Sequence, residues 1–234
     1  MGKANIVHTK TVDRIISAIG FAKISGDISM IYGEAGLGKS VALKEYIGTH
    51  SDALYVELMN CDKSTKGVCE RLIDCMGLCA YGSDRNLIKS IIEYQERHHK
   101  IIILDEAQHL SINALENLRS INDKTCTGIV ICGNPTVYDR MHGKGQAHFA
   151  QLYSRIGIRL EVTPPGIDEM ESIYGKIVTD RESLLFLHKL ALSHGGLRNC
   201  EKVVKIAQQF KEDEKEPLNI ELLRSANQIR NGNQ

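Results

Sequence analysis

Residues 33–40 read GEAGLGKS and directly follow the apolar run ISMIY. Gly33, Gly38, Lys39 and Ser40 complete the pattern G-x-x-x-x-G-K-[ST], and Gly36 adds a further residue without a Cβ. Such a loop turns successive backbone N–H groups towards a phosphate, and the start of the following helix adds a favourable field. Nucleotide phosphates would then be held by Gly33, Glu34, Ala35, Gly36, Leu37 and Gly38, with Lys39, Ser40 and Val41 at the helix start. Lys39 reaches the β- and γ-phosphates, and the Ser40 hydroxyl binds Mg²⁺. An ordinary glycine-rich turn is the alternative, but the complete match with a strand before and a helix after favours the phosphate loop.

A second chemical group lies in IIILDEAQHL, residues 101–110. Asp105, ending an apolar strand, suits the Mg²⁺ carboxylate of phosphate-loop enzymes. Glu106 points the opposite way if the chain is still extended there, so it addresses a water in line with the γ-phosphate. A bare strand-end turn is the competing reading; beside a phosphate loop the catalytic one prevails, and ATP hydrolysis follows. Asn134 ends the next apolar run, IVICGNP, where its amide either orients the attacking water or merely starts a turn and helix. Arg155 in LYSRIG and Arg198 in GGLRNCEKVV are surface or ion-paired residues, unless one of them reaches the γ-phosphate and stabilises transition-state charge.

These side chains need a scaffold. Five aliphatic runs read as strands: ISMIYG, ALYVELM, KIIILDEA, TGIVICGN and GIRLEVT. Helical patterns alternate with them, which predicts an α/β fold with a five-stranded parallel sheet flanked by helices. After TPPG, residues 163–166, only helical patterns remain, so the chain divides into an α/β domain at 1–163 and a small helical domain at 164–234. In the latter, Thr179 and Glu182 are spaced as a capping box, and KEDEKEP forms a solvated linker.

With 234 residues and a formal net charge of zero, the chain has no broad basic surface, so any nucleic-acid contact must be local. The seven cysteines form no C-x-x-C pair and read as reduced core or near-core residues. His98 and His99 read as a polar helix end. No apolar run reaches membrane-spanning length and the N-terminus lacks a secretion signal, so a cytoplasmic location is expected.

Taken in order, GEAGLGKS, ILDEAQ, CGN, SRIG and GGLR resemble the AAA+ ATPases. The run ILDEAQHLSINALENLRSINDKTCTGIVICGNP narrows the likeness to the family of phage Mu transposition protein B and the TnsC-type transposition regulators. The resemblance extends from about Thr11 to about Arg230 and implies a P-loop NTPase core with a C-terminal helical lid. It makes Asn134 sensor 1, Arg155 the arginine finger acting in trans, and Arg198 sensor 2, with Arg140 in VYDRM a second finger candidate. It also implies ATP and Mg²⁺ as cofactors, a homo-oligomeric filament or ring on double-stranded DNA, and a transposase partner. Phage Mu protein B carries an N-terminal helix-turn-helix domain, whereas about ten residues precede the first helix here. DNA contact is therefore expected from the ATPase core, through the DNA backbone and without sequence preference.

Basic residues cluster between the second and third strands: Lys63 and Lys66 in NCDKSTKG, and Arg85 in SDRNLIK. The resemblance places this region in the filament's central channel; two solvated loops are the alternative. Two other functional classes share the phosphate loop, a small-molecule kinase and a protein-remodelling or secretion ATPase. The adjacent Asp105–Glu106 pair and the helical annex with Arg198 favour the ATPases over the kinase.

Overall fold

Each of the five aliphatic runs contains a strand: β1 (Ile28–Tyr32), β2 (Ala53–Glu57), β3 (Ile101–Asp105), β4 (Ile129–Gly133) and β5 (Ile156–Glu161). They form one sheet in the order β2-β3-β4-β1-β5, with every neighbouring pair parallel. This computed structural model describes residues 6–142, 153–211 and 216–232, and the side chains of 140–142 lie outside that description. Parallel strands need crossovers, and the helices supplying them cover both faces of the sheet. That explains why all five residues of β3, and all five of β4, are buried. Edge strand β5 instead alternates, with Ile156 and Leu160 inside and Gly157, Arg159 and Glu161 exposed.

Contacts divide the chain into two compact units, one of residues 14–33 and 39–161, the other of 1–13, 34–38 and 162–234. In the first unit, α2 (Lys39–Thr49) comes directly after the phosphate loop, and α3 (Thr65–Met76) and α4 (Asp84–His98) connect β2 to β3. α5 (Ile112–Thr125) leads to β4, and α6 (Pro135–His142) lies beyond it. The ends of α3 and α5 obey local chemistry. Ser64 Oγ accepts from Gly67 N at 3.1 Å, Ser111 Oγ accepts from Ala114 N at 3.2 Å, and Gly77 closes α3 at φ 69°. α4 ends as its histidines suggest, with His98 its last residue and His99 at φ 47°. Helix α6, only eight residues long, begins where Asn134-Pro135 allowed a helix start, although its periodicity is too brief to show its extent.

The second unit holds α7 (Ile167–Tyr174), α8 (Arg181–Ala191), α9 (Gly196–Gln209) and α10 (Ile220–Arg230) around Met170, Leu187, Cys200, Val203 and Leu223. Helix α1 (Lys10–Ser25) begins in this unit, where Thr11 N donates to Glu169 Oε1 at 2.8 Å. The expected Thr179–Glu182 capping box does not form. Asp180 caps α8 instead, its carboxylate accepting from Ser183 N at 2.7 Å, and those bonds hold its pKa below the usual range. The ionised carboxylate is a stronger acceptor than the Thr179 hydroxyl. Of the KEDEKEP linker, residues 212–215 lie outside the described residues.

All seven cysteines are free thiols, but the expected core or near-core placement holds for three and not for the other four. Cys69, Cys132 and Cys200 are buried, whereas Cys61, Cys75, Cys79 and Cys126 are exposed. Among the described residues no helix is long and apolar enough to cross a membrane.

Candidate functional site

Strand register sets the geometry. Tyr32 pairs with Gly133, and Glu57 with Asp105, so the carboxyl ends of β1 to β4 lie on one side of the sheet, where open α/β sheets place ligands. From that edge the chain runs from β1 into residues 33–38, and α2 begins at Lys39. Gly36 and Gly38 have φ of 84° and 87°, the left-handed region that explains glycine at both positions. Gly33 N donates to Gly133 O at 3.3 Å, and Lys39 Nζ donates to Gly33 O at 2.7 Å. Ser40 lies half-buried in the first turn of α2. Glu34, Ala35 and Val41 are exposed, and Leu37 turns inward.

Gly36 belongs by its contacts to the helical unit. A Cβ built there would lie 2.1 Å from Gly195 O and 3.3 Å from Arg198 Cβ. Absence of that Cβ lets the backbone at the start of α9 approach the phosphate loop. Arg198, in the first turn of α9, is exposed beside it.

Asp105 is 1% exposed. Its Oδ2 accepts from Tyr55 Oη–H at 3.1 Å and its Oδ1 from Glu106 N at 3.0 Å. Burial, then the Asp105 charge, push the Tyr55 phenol upward, so it remains a donor to the carboxylate. The Cys132 thiol is pushed up by burial and by Asp105 as well. Glu106 corrects an expectation: the chain is not extended there but turns into the left-handed region at φ 55°, ψ 36°, before a short 3₁₀ turn at Ala107–His109. For a residue with a side chain this conformation costs about 1 kcal/mol or more. The turn, rather than strand alternation, separates the Glu106 carboxylate from that of Asp105.

Asn134 performs the task its Asn-Pro sequence suggests. Its Oδ1 accepts from Thr136 N at 3.1 Å and from Thr136 Oγ1 at 2.6 Å, which caps the start of α6. Gln108 joins this residue to Glu106: its Nε2 donates to Glu106 Oε2, and its Oε1 accepts from Asn134 N at 3.2 Å. Gln108 has no role in the sequence reading, although an amide two residues beyond the acidic pair was the available signal. Tyr55 is missed too, because a half-buried tyrosine in an edge strand reads as packing.

Arg155 immediately precedes β5 and its side chain is 55% exposed. Its Nε pairs with Asp123 Oδ1 at 2.8 Å, and Asp123 also binds Arg119. Arg140 falls in α6, where its side chain is outside the described residues.

Lys63, Lys66 and Arg85 are all exposed. Lys63 comes just after the 3₁₀ turn at Asn60–Asp62, and its carbonyl accepts from Ser111 N at 2.8 Å. Thr65 Oγ1 accepts from Asn117 Nδ2 at 3.0 Å, so the starts of α3 and α5 meet beside the two lysines. Lys66 lies 3.8 Å from Glu70. Arg85 lies in the first turn of α4, which packs on α3.

The donor set suits Mg²⁺. That ion prefers one or two protein oxygens together with substrate phosphates, and Asp105 and Ser40 offer hard oxygen at the sheet edge. Among the described residues no cluster of three or more His, Cys, Asp or Glu could hold a metal without a nucleotide.

A model of the AAA domain family matches residues 24–141. Over 230 residues, 94% of this chain and 72% of the relative, the sequence is 27% identical to the ATP-dependent target DNA activator B of Escherichia phage D108. The activator of the same name from Escherichia phage Mu is 26% identical, again over 94% of this chain and 72% of the relative. These relatives match the family to which the motifs point. Among solved structures, Cdc6p from Pyrobaculum aerophilum superposes with a TM-score of 0.67 over 96% of this chain and 69% of that one, at 13% identity. At that identity the likeness concerns the fold, and it bears out a phosphate-loop α/β core.

Proposed function

The chain belongs to the AAA domain family, and we propose that it is a Mg²⁺-dependent ATPase that coats double-stranded DNA and regulates DNA transposition. The observation that carries the DNA role is the extent of the likeness to target DNA activators, which takes in almost the whole chain. In this reading residues 1–163 bind and hydrolyse the nucleotide, residues 164–234 form the lid, and the protein works in the cytoplasm.

Backbone N–H groups of residues 34–38, following Gly33, hold the phosphates, with Lys39 neutralising the β- and γ-oxygens. Ser40 and Asp105 would hold Mg²⁺, which when bound neutralises charge developing on the phosphate oxygens. Tyr55 keeps the Asp105 carboxylate oriented through its 3.1 Å hydrogen bond. Glu106 takes a proton from water as the water oxygen bonds to the γ-phosphorus. The bond from that phosphorus to the β-phosphate oxygen breaks, and its electron pair leaves with ADP. The Asn134 amide directs the water, Arg198 senses the γ-phosphate within the same chain, and Arg155 completes the site of a neighbouring copy.

Lys63, Lys66 and Arg85 contact DNA phosphates without reading bases. ATP loading drives assembly of a homo-oligomeric filament or ring, and the loaded assembly presents target DNA to a transposase. The test is ATP hydrolysis measured with and without double-stranded DNA. Turnover that responds to DNA is expected; equal turnover in both, with no assembly on DNA, points to a remodelling ATPase instead.

A further inference from the structure

Among the described residues, the Glu106 carboxylate is held by Gln108. The backbone does not fix that carboxylate as a strand would, since Glu106 sits in a left-handed turn at φ 55°. Gln108 Nε2 supplies the restraint, donating to Glu106 Oε2. Its Oε1 is occupied at the same time by Asn134 N at 3.2 Å. Both bonds favour the same orientation of the amide. Reversed, it would set N–H against N–H at Asn134 and oxygen against the carboxylate, both repulsive.

The neighbouring backbone makes room for this amide. A Cβ on Gly133 would lie 2.7 Å from Gln108 Oε1 and 2.6 Å from Val137 Cγ2, so glycine there admits the amide beside the end of β4. Gly133 O also accepts from Gly33 N at 3.3 Å, at the entry of the phosphate loop. Gln108 therefore ties Glu106 to the strand end that abuts that loop.

We infer that Gln108 is a positioning residue for hydrolysis, holding Glu106 Oε2 so that Oε1 faces the water. This rests on Glu106 acting as the base. In this role Gln108 acts through Glu106, so it sets turnover and leaves ATP affinity alone.

Two variants separate positioning from packing. Gln108→Glu keeps the acceptor for Asn134 N–H but turns an oxygen towards Glu106, whereas Gln108→Leu removes both bonds at similar size. Both should lower kcat by about 10-fold or more, within the range set by a misplaced base. KM for ATP and the Kd of a fluorescent ATP analogue should stay within about twofold, and Gln108→Glu should keep the wild-type melting temperature. Wild-type turnover in Gln108→Glu, with loss confined to Gln108→Leu, would overturn the inference in favour of packing. A parallel Glu106→Gln variant distinguishes the two layers: normal turnover there overturns the base itself, and lost turnover there beside an active Gln108→Glu overturns only the role of Gln108. Independently of activity, the ¹⁵N side-chain amide resonance of Gln108 should shift on Glu106→Ala, and an unmoved resonance would remove the contact.

Discussion

Arg155 Nε pairs with Asp123 Oδ1 at 2.8 Å, which engages within the chain an arginine whose sequence position suggests work on a neighbouring copy. The pair is half-exposed, so breaking it should cost less than about 1 kcal/mol of stability. Exchange of Asp123 for a partner's phosphate is therefore energetically accessible. Arg155→Ala should bind ATP and hydrolyse it slowly, and mixing it with Lys39→Ala subunits should restore part of the activity. Specific activity of the wild type should rise with protein concentration. Concentration-independent turnover without rescue on mixing would place the finger elsewhere.

Glu106→Gln should keep nucleotide binding and lose about 10²-fold or more in hydrolysis, the effect of removing a positioned base. Lys39→Ala should fail earlier, at nucleotide binding, because its ammonium is expected to pair with the β- and γ-phosphates. Equilibrium binding of a fluorescent ATP analogue, together with phosphate release, distinguishes the two defects.

Lys63 and Lys66 stand beside the converging starts of α3 and α5, and a DNA phosphate bound there would release counterions. Each contact should add about −0.9 to the slope of log affinity against log salt concentration. Lys63→Ala with Lys66→Ala should flatten that slope by roughly two and weaken unrelated DNA sequences alike. Hydrolysis without DNA should persist. A salt titration on two DNAs in the presence of an ATP analogue reads both effects, and an unchanged slope would move the DNA surface elsewhere.

Thiol accessibility should track the observed burial. A disulfide reagent should modify Cys61, Cys75, Cys79 and Cys126 in the native protein, and reach Cys69, Cys132 and Cys200 only after unfolding. Burial raises all three protected thiols, that of Cys69 to about 12 and that of Cys200 to about 12, which slows their reaction further. Mass spectrometry after timed labelling gives the result directly, and early labelling of Cys132 would contradict the packing around Asp105.

The strands and the phosphate loop were legible because each is encoded over consecutive residues: aliphatic runs such as IIILD, and glycines where left-handed backbone is needed. Glu106 was legible as a candidate but not in conformation. Its φ of 55° belongs to the junction between β3 and the 3₁₀ turn at Ala107–His109, and no local propensity of glutamate demands it. The same holds for contacts between distant residues. Tyr55 and Asp105 are fifty positions apart and meet only through strand pairing. The Gln108–Asn134 bond requires β3 and β4 to be neighbours, and pairing order is not written in either strand. The cysteines misled because a small apolar side chain is compatible with a core and does not require one.

On the proposed function, the ATP-loaded protein assembles on DNA. Electron microscopy of the protein with long double-stranded DNA and a non-hydrolysable ATP analogue tests it most directly. Continuous protein coats on the DNA are expected with the analogue and bare DNA with ADP. Bare DNA at concentrations where the analogue is demonstrably bound would contradict it.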